Sequence, residues 1–310
     1  MAPSKFIEGV GSKLAERWVA TLLTPAFCFW AVGFAILTQL PLWATTKTTL
    51  SALSEPFQIA VLVACLLVIA ASAFIVQRFD LAVLRFLEGY WPQRSPLMQR
   101  LKRRSLHRYA KQLRHIKDQL QALMASPSPT PDLLEKQAQL DYQRRWLPSQ
   151  PHALMPTQLG NILRAAELRP ESKYGLNAVV CWPHLWMLLP DHPRNDLQDT
   201  RASLNTAARV WLWGLLLWVW ACFGPWTPWA LLALPLGLAT MALAYRWALS
   251  TARSYGDLLD AAFDLYRGEL YKALRWPLPE NSDTETAMGK QLSQSLWRGP
   301  VHSISYRSRE

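Results

Sequence analysis

Three polar residues on one predicted helix are the strongest candidates for specific chemistry in this sequence. Asn161, Arg164 and Glu167 follow one another at intervals of three, on the polar side of a helix whose other positions are apolar. An amide, a guanidinium and a carboxylate in this arrangement can form a hydrogen-bonded contact with a neighbouring helix. With Tyr174 and Trp182, which follow in the same segment, they can instead line a ligand pocket. The sequence favours the helix contact and leaves both interpretations open, so we treat all five as partner- or ligand-coupling residues.

Metal ligands and a nucleophile are the other chemistry that the residue types allow. His184, Asp191 and His192 lie close in sequence, but their spacing matches no recognised metal-binding motif. Cys181 could act as a nucleophile only beside a base and a third, orienting group, so a buried small side chain is the simpler interpretation. A glycine-rich phosphate loop and the GxSxG and HExxH motifs do not occur. The sequence therefore predicts no catalytic residue, no metal site and no cofactor.

Two blocks of sequence around these residues carry a family resemblance. The first is LGNxLRAAE at residues 159–167, followed by YGLxAVVxWPxLW at residues 174–186. The second, within residues 255–279, contains AAFDLY and LRWPLP. The combination resembles a group of uncharacterised bacterial membrane proteins with several spans. The resemblance implies a membrane architecture and transfers no activity to any residue.

Four long apolar runs predict the elements that position this segment. They lie at about residues 18–43, 57–76, 209–223 and 230–247, and the third is rich in tryptophan. Since about 20 apolar residues in a helix cross a hydrocarbon core of about 30 Å, each run predicts a transmembrane helix. Short connectors join them in pairs, as two hairpins. Ala233 and Gly237, four residues apart, predict a close helix contact in the second hairpin.

The distribution of charge predicts the orientation in the membrane. The chain carries 33 Lys and Arg against 22 Asp and Glu, a formal charge of +11. The loop at residues 44–56 has one lysine and one glutamate, whereas a series of arginines follows residue 77. Positive residues remain on the cytoplasmic side, so we expect a multi-pass protein of a bacterial inner membrane with both termini cytoplasmic.

A basic helix follows the first hairpin. Residues 94–117 contain nine Lys or Arg residues and no Asp or Glu, and apolar residues recur at intervals of three and four. Residues 126–132, SPSPTPD, should end this helix, and residues 132–146 should return beside it as an antiparallel helix.

The basic helix has three possible partners. We expect its membrane-proximal cations to contact anionic lipid headgroups: Arg100, Lys102, Arg103 and Arg104. The simpler alternative is a solvated helix face. Nucleic acid is not predicted, because no nucleic-acid-binding fold accompanies the charge.

Two later segments complete the part outside the spans. Residues 178–182, AVVCW, are too short an apolar run to distinguish a strand from a helix. Residues 255–274 predict an amphipathic helix whose acidic side could pack against the basic residues 94–117. The tail after residue 279, with an apolar patch at Leu292, Leu296 and Trp297, is expected to be loosely ordered.

The whole sequence predicts an all-α integral membrane protein with four transmembrane helices in two hairpins and a small helical cytosolic body. Its predicted parts are an interfacial segment (1–17), hairpin 1 (18–76), a cytosolic helical region (77–208), hairpin 2 (209–248) and a cytosolic amphipathic helix and tail (249–310). The predicted function is non-enzymatic: oligomerisation, or docking of a cytosolic protein partner, through the cytosolic region. The alternative is a channel or membrane-permeabilising effector gated by that region.

Overall fold

The described part of the chain is entirely helical. The computed structural model describes residues 23–40, 42–92, 94–125, 130–223 and 228–299. These residues form eleven α-helices and no strand, which confirms the all-α prediction. The helices are α1 Thr24–Leu37, α2 Leu42–Ser51, α3 Glu55–Gln77, α4 Asp80–Glu88, α5 Pro96–Met124, α6 Pro131–Arg145, α7 Gln158–Tyr174, α8 Ala178–Leu188, α9 Asp191–Phe223, α10 Pro228–Ala273 and α11 Ser282–Arg298.

Two or three membrane spans are identified by length and composition. Helix α3 and the part of α10 at Ala230–Ala273 are long and apolar enough to cross a membrane. Helices α1 and α2, bent by 106° relative to each other, add a third if the pair is one broken span. The described residues thus support a membrane protein but not the predicted count of four. The predicted interfacial segment 1–17 lies outside the described residues.

The predicted third span is not among these candidates. Residues 209–223 form the end of α9, a helix that begins with the polar residues after Asp191. Tryptophan carries a polar N–H and prefers membrane interfaces to the hydrocarbon centre, and Arg209 adds a charge at the start of the segment. A run that is aromatic rather than aliphatic is therefore a weaker span than its length suggests.

The chain divides into two compact units: residues 1–84 with 204–248, and residues 85–203 with 249–310. We call the first the apolar unit and the second the helical body. Aromatic rings fill the interior of the apolar unit, where Phe29 lies 5.0 Å from Trp213 and 5.3 Å from Trp220 between ring centroids. A Cβ on Gly237 would come within 2.6 Å of the Gly214 carbonyl oxygen. Ala233 is also buried. These two observations confirm the close helix contact predicted at residues 233 and 237.

A buried ion pair joins two helices of the apolar unit. The Arg209 guanidinium donates to both Asp80 carboxylate oxygens, at 3.1 and 2.5 Å. The two side chains are only 7% and 13% exposed. A bidentate pair compensates both charges for their lost hydration, whereas either charge alone would be strongly unfavourable there.

Two hydrophobic cores of the helical body bear on the site. Helices α5 and α6 form the predicted hairpin, around Leu113, Ile116, Leu120 and Leu140. The other core brings α7, α8, α10 and α11 together around Cys181, Phe263, Tyr271 and Leu292. Residues 178–182 are helical, as the first turns of α8.

Helix α11 overturns the expectation of a loosely ordered tail up to residue 298. The Asn281 side chain accepts from the Thr284 N–H, and the Thr284 hydroxyl accepts from the Asn281 N–H, which is a reciprocal cap that begins the helix. Leu292 then packs fully buried in the core. Residues 300–310 lie outside the described residues.

Candidate functional site

Helix α7 and the turn after it organise the helical body. The Thr157 side chain accepts from the Gly160 N–H at 3.0 Å and caps the start of α7. Gly175 ends the helix with φ of 69°, the left-handed region that glycine tolerates. The Asn177 side chain, 3.2 Å from the Val180 nitrogen, then caps α8. The tyrosine-glycine-leucine motif therefore forms the turn that joins α7 to α8.

Helix α11 packs directly on this junction. A Cβ on Gly175 would lie 2.1 Å from the Thr286 carbonyl oxygen, and one on Gly289 would lie 2.0 Å from the Tyr174 carbonyl oxygen. The Ser293 hydroxyl accepts from the Asn177 N–H at 2.9 Å and donates to the Gly289 carbonyl at 2.8 Å. Both glycines are required because backbone meets backbone here.

Asn161 is fully buried and bonds within its own segment. Its Oδ1 accepts from the Met155 N–H at 2.8 Å, and its Nδ2 donates to the carbonyls of Met155 and Thr157, both at 2.9 Å. The amide thus holds the loop that precedes α7. It does not reach another helix or a surface.

Arg164 and Glu167 pair with each other and face a small cavity. Their Nη1 and Oε2 atoms lie 3.2 Å apart, and both side chains are about half exposed. The cavity has a volume of about 90 Å³. Its other polar lining residues come from elsewhere in the body: Glu88, Tyr90, Arg201 and Tyr255.

Tyr174 belongs to a separate charged network. Its hydroxyl donates to Asp264 at 2.6 Å, and Lys173 lies 2.9 Å from Asp260 and 3.3 Å from Asp264. The Arg267 guanidinium stacks 4.1 Å from the centre of the Tyr174 ring. Burial, and then the hydrogen bond to Asp264, raise the pKa of Tyr174 to about 12.

The acidic face of α10 has partners other than those expected. Arg145 lies 2.6 Å from Asp257, and Arg169 lies 3.5 Å from Asp260. These carboxylates therefore pair with α6 and α7, not with the basic residues 94–117. The sequence could not select α6 and α7 as partners from charge alone, because most helices of the body carry Lys or Arg residues.

Cys181 is a buried core residue, and Trp182 packs partly buried against the same core. The Trp182 ring lies 5.6 Å from Trp186 and 6.1 Å from Phe263. Cys181 is buried, with its sulfur 3.7 Å from the Ser293 hydroxyl, and burial raises the pKa of its thiol to about 11. A thiol of that pKa is not an activated nucleophile at neutral pH.

The five predicted coupling residues therefore do not form one pocket. Arg164 and Glu167 share the cavity, Asn161 binds the loop before α7, and Tyr174 and Trp182 pack against the core around Cys181 and Phe263. His192 pairs with Asp196 at 3.1 Å and Asp191 with Arg194 at 3.3 Å, both on the surface. Across the described ranges, no three His, Cys, Asp or Glu side chains are grouped so as to hold a metal ion.

A larger groove lies between α7, α8 and α11. Its volume is about 550 Å³. Val179 and Trp297 contribute exposed apolar surface, 60% and 68% accessible. Its charged lining consists of three cations, Arg164, Lys290 and Arg298, and one anion, Glu171. Sequence reasoning missed this groove because the tail was expected to be loosely ordered; the Asn281–Thr284 cap was the available signal.

The predicted lipid-contacting residues lie in the first half of α5. Arg100, Arg103 and Arg104 are exposed, and Lys102 is half-buried. The first acidic residue of α5 is Asp118, near its other end. A cationic surface without neutralising carboxylates is available on this part of the helix.

Comparisons with known proteins identify no relative: no family model, curated protein or solved structure matches this chain. The resemblance to uncharacterised bacterial membrane proteins stays a prediction from the sequence.

Proposed function

We propose that this chain is a non-enzymatic docking protein of a bacterial inner membrane. In this proposal residues 209–223 cross the membrane with the other three apolar runs, both termini are cytoplasmic, and the helical body binds a protein partner. The groove between α7, α8 and α11 carries the proposal. It is a preformed concave surface of a size usual for binding sites, with exposed apolar and charged groups together.

The charges of the groove define the chemistry of the partner. The side chains of Lys290 and Arg298 form no hydrogen bond or ion pair with any described residue. Exposed Trp297 lies in the same groove, and tryptophan with arginine is the usual composition of an interface centre. The complementary occupant is an acidic segment of another protein that inserts an apolar side chain beside Trp297.

The basic half of α5 contributes a second contact in this proposal. Arg100, Lys102, Arg103 and Arg104 follow the first pair of spans closely enough to reach the headgroups of anionic lipids. Replacing all four with glutamine should reduce the number of anionic lipids that the purified protein retains in native mass spectra.

Site-specific cross-linking in native membranes tests the docking function. A photoreactive amino acid at Trp297 should give a discrete cross-linked product, whose partner peptide is rich in Asp or Glu. The same amino acid at Lys136, an exposed residue of α6 outside the groove, should not give it. Reversing the charges of Lys290 and Arg298 to glutamate should remove the product, whereas K136E should retain it.

Three outcomes would overturn this proposal. One is the absence of any product from position 297. Another is a product that persists in the double charge reversal. The third is a product with a second copy of this chain, which would make the groove a homo-oligomer interface.

The alternative function is a channel or membrane-permeabilising effector gated by the helical body. Within the apolar unit, aromatic rings occupy the space between α1 and α9, so these helices do not enclose a pore by themselves. Unitary conductance of the purified protein in planar bilayers would favour a channel over a docking protein.

A further inference from the structure

The cavity beside Arg164 and Glu167 has the composition of a ligand site. It lies within the helical body and is lined by residues of α7, α9 and α10 and of the end of α4. Both signs of charge line it, as Glu88 and Glu167 on one hand and Arg164 and Arg201 on the other. The docking function proposed above does not use it.

Several polar groups of this cavity have no protein partner. The Glu88 carboxylate, the Arg201 guanidinium and the hydroxyls of Tyr90 and Tyr255 form no hydrogen bond or ion pair with any residue in the described ranges. Asp260, on the opposite side of α7, contrasts with them because it lies within ion-pair distance of three cations. Glu88, Arg201 and Tyr255 are half-buried and Tyr90 is exposed, so these groups around one cavity are available to an external partner.

The backbone fixes one wall of the cavity. Helix α7 approaches α4 so closely that a Cβ on Gly160 would lie 2.0 Å from the Glu88 carbonyl oxygen. Glycine at this position lets the two helices touch and holds Glu88 opposite the side chains of α7. The position of Glu88 opposite α7 is therefore fixed by backbone packing.

We propose that this cavity binds a small zwitterion of the amino-acid class. Arg201 donates to the ligand carboxylate in a charge-assisted hydrogen bond, and Glu88 accepts from its ammonium group. The tyrosine hydroxyls supply further donors and acceptors. The Arg164–Glu167 pair leaves the net charge of the lining at zero, which suits a neutral ligand with separated charges.

The volume limits the ligand to a few heavy atoms. At about 90 Å³ the cavity is smaller than the roughly 150 Å³ apolar cavity that admits benzene. Glycine and alanine are therefore the appropriate probes, and larger amino acids should be excluded.

The pKa of Glu88 agrees with this assignment. Burial raises the pKa of its carboxyl, and the charge of Arg201 opposes the increase. An ammonium group beside Glu88 would favour its ionised form further. A carboxylate without a bonded cation is the part of the cavity that a ligand would most stabilise.

Isothermal titration calorimetry of the full-length protein in detergent tests the site. Glycine and alanine should bind, whereas acetate and methylammonium, which each carry one of the two charges, should bind at least about tenfold more weakly. Glu88→Gln and Arg201→Gln should each weaken glycine binding by about tenfold or more. Glu280→Gln, an exposed substitution outside the cavity, should leave binding unchanged.

Each contrary result would overturn the assignment. Absence of binding by the wild-type protein at 10 mM glycine, which is about the upper limit of a specific weak site, needs no variant to interpret. Unchanged binding in both variants would place glycine elsewhere. Equal binding of acetate would show that one charge is sufficient. Circular dichroism establishes that each variant is folded, and one folded variant of the two is enough.

Discussion

Polar residues of the motif at residues 159–186 mainly form hydrogen bonds that stabilise the helical body, and few of them are free to bind a ligand. Asn161 shows this most clearly, because all three hydrogen bonds of its amide go to backbone groups of the loop before α7. A sequence pattern cannot distinguish such an asparagine from a surface one, since the loop that it binds precedes the helix and has no pattern of its own.

Substitution of Asn161 should therefore reduce stability. Asn161→Ala leaves partly buried backbone groups of Met155 without their side-chain partner, so we expect a loss of roughly 1–3 kcal/mol in the free energy of unfolding. Thermal unfolding in detergent measures the change. Gln158→Ala, an exposed position on the same helix, is the control and should change stability by less than about 0.5 kcal/mol.

Tyr174 should make the protein sensitive to alkaline pH. Because its pKa is about 12 in the folded chain against an ordinary 10.0, the folded state retains the proton that the unfolded state loses. Its contribution to stability is complete below pH 10 and is lost as the pH rises to about 12. Tyr174→Phe removes the hydrogen bond to Asp264, so the variant should be less stable than the wild type at pH 8, with a difference that shrinks toward pH 12.

Unfolding by urea across this pH range measures that difference. Tyr142→Phe, at an exposed tyrosine, should show the wild-type pH dependence. A gap between Tyr174→Phe and the wild type that stays constant from pH 8 to pH 12 would contradict the pKa of about 12.

At the scale of helices, α11 is the element that completes the second core. Substitutions at two helical glycines, Gly289 of α11 and Gly268 of α10, distinguish the effect of close packing from the effect of helix propensity. Gly289→Ala should displace α11, because the new Cβ would lie 2.0 Å from a carbonyl oxygen, whereas a Cβ on Gly268 would meet nothing within 4 Å. Gly268→Ala should be neutral or stabilising by up to about 1 kcal/mol.

Alkylation of Cys181 measures the displacement of α11. The buried thiol lies beside Ser293 of α11, so it should react with maleimide faster in Gly289→Ala than in the wild type or in Gly268→Ala. Peptide mass spectrometry separates Cys181 from the other cysteines. Equal protection of Cys181 in both variants would show that α11 tolerates the extra methyl group.

Sequence patterns predicted some helices well and others poorly, for identifiable reasons. The α5–α6 hairpin followed from its apolar spacing and the proline-rich break. Helix α11 was missed, because its contact with the rest of the body depends on two small residues, Gly289 and Ser293, which no hydropathy pattern reports. The cavity was missed too, because Glu88 and Arg201 are distant in sequence and meet only through α7 and α10.

At the scale of the whole molecule, the charge asymmetry predicts the topology. Ser54 lies between α2 and α3, in the loop that is poor in cations, and Gln112 lies on basic α5. In a variant whose four native cysteines are alanine, Ser54→Cys should react with an impermeant maleimide added outside the inner membrane. Gln112→Cys should react only after the membrane is permeabilised. The reverse labelling pattern would show that the topology is opposite to the predicted one.

The division of the helical body along the chain has a consequence for biosynthesis. The body is built from residues 85–203 and 249–310, with residues 204–248 between them. Arg145 must meet Asp257, and Asn177 must meet Ser293, across the intervening apolar segment. Because the ribosome delivers residues 204–248 before residues 249–310, the first part of the body stays incompletely packed until the last part has been synthesised. Until then, the core around Cys181 lacks Phe263, Tyr271 and Leu292, which α10 and α11 supply.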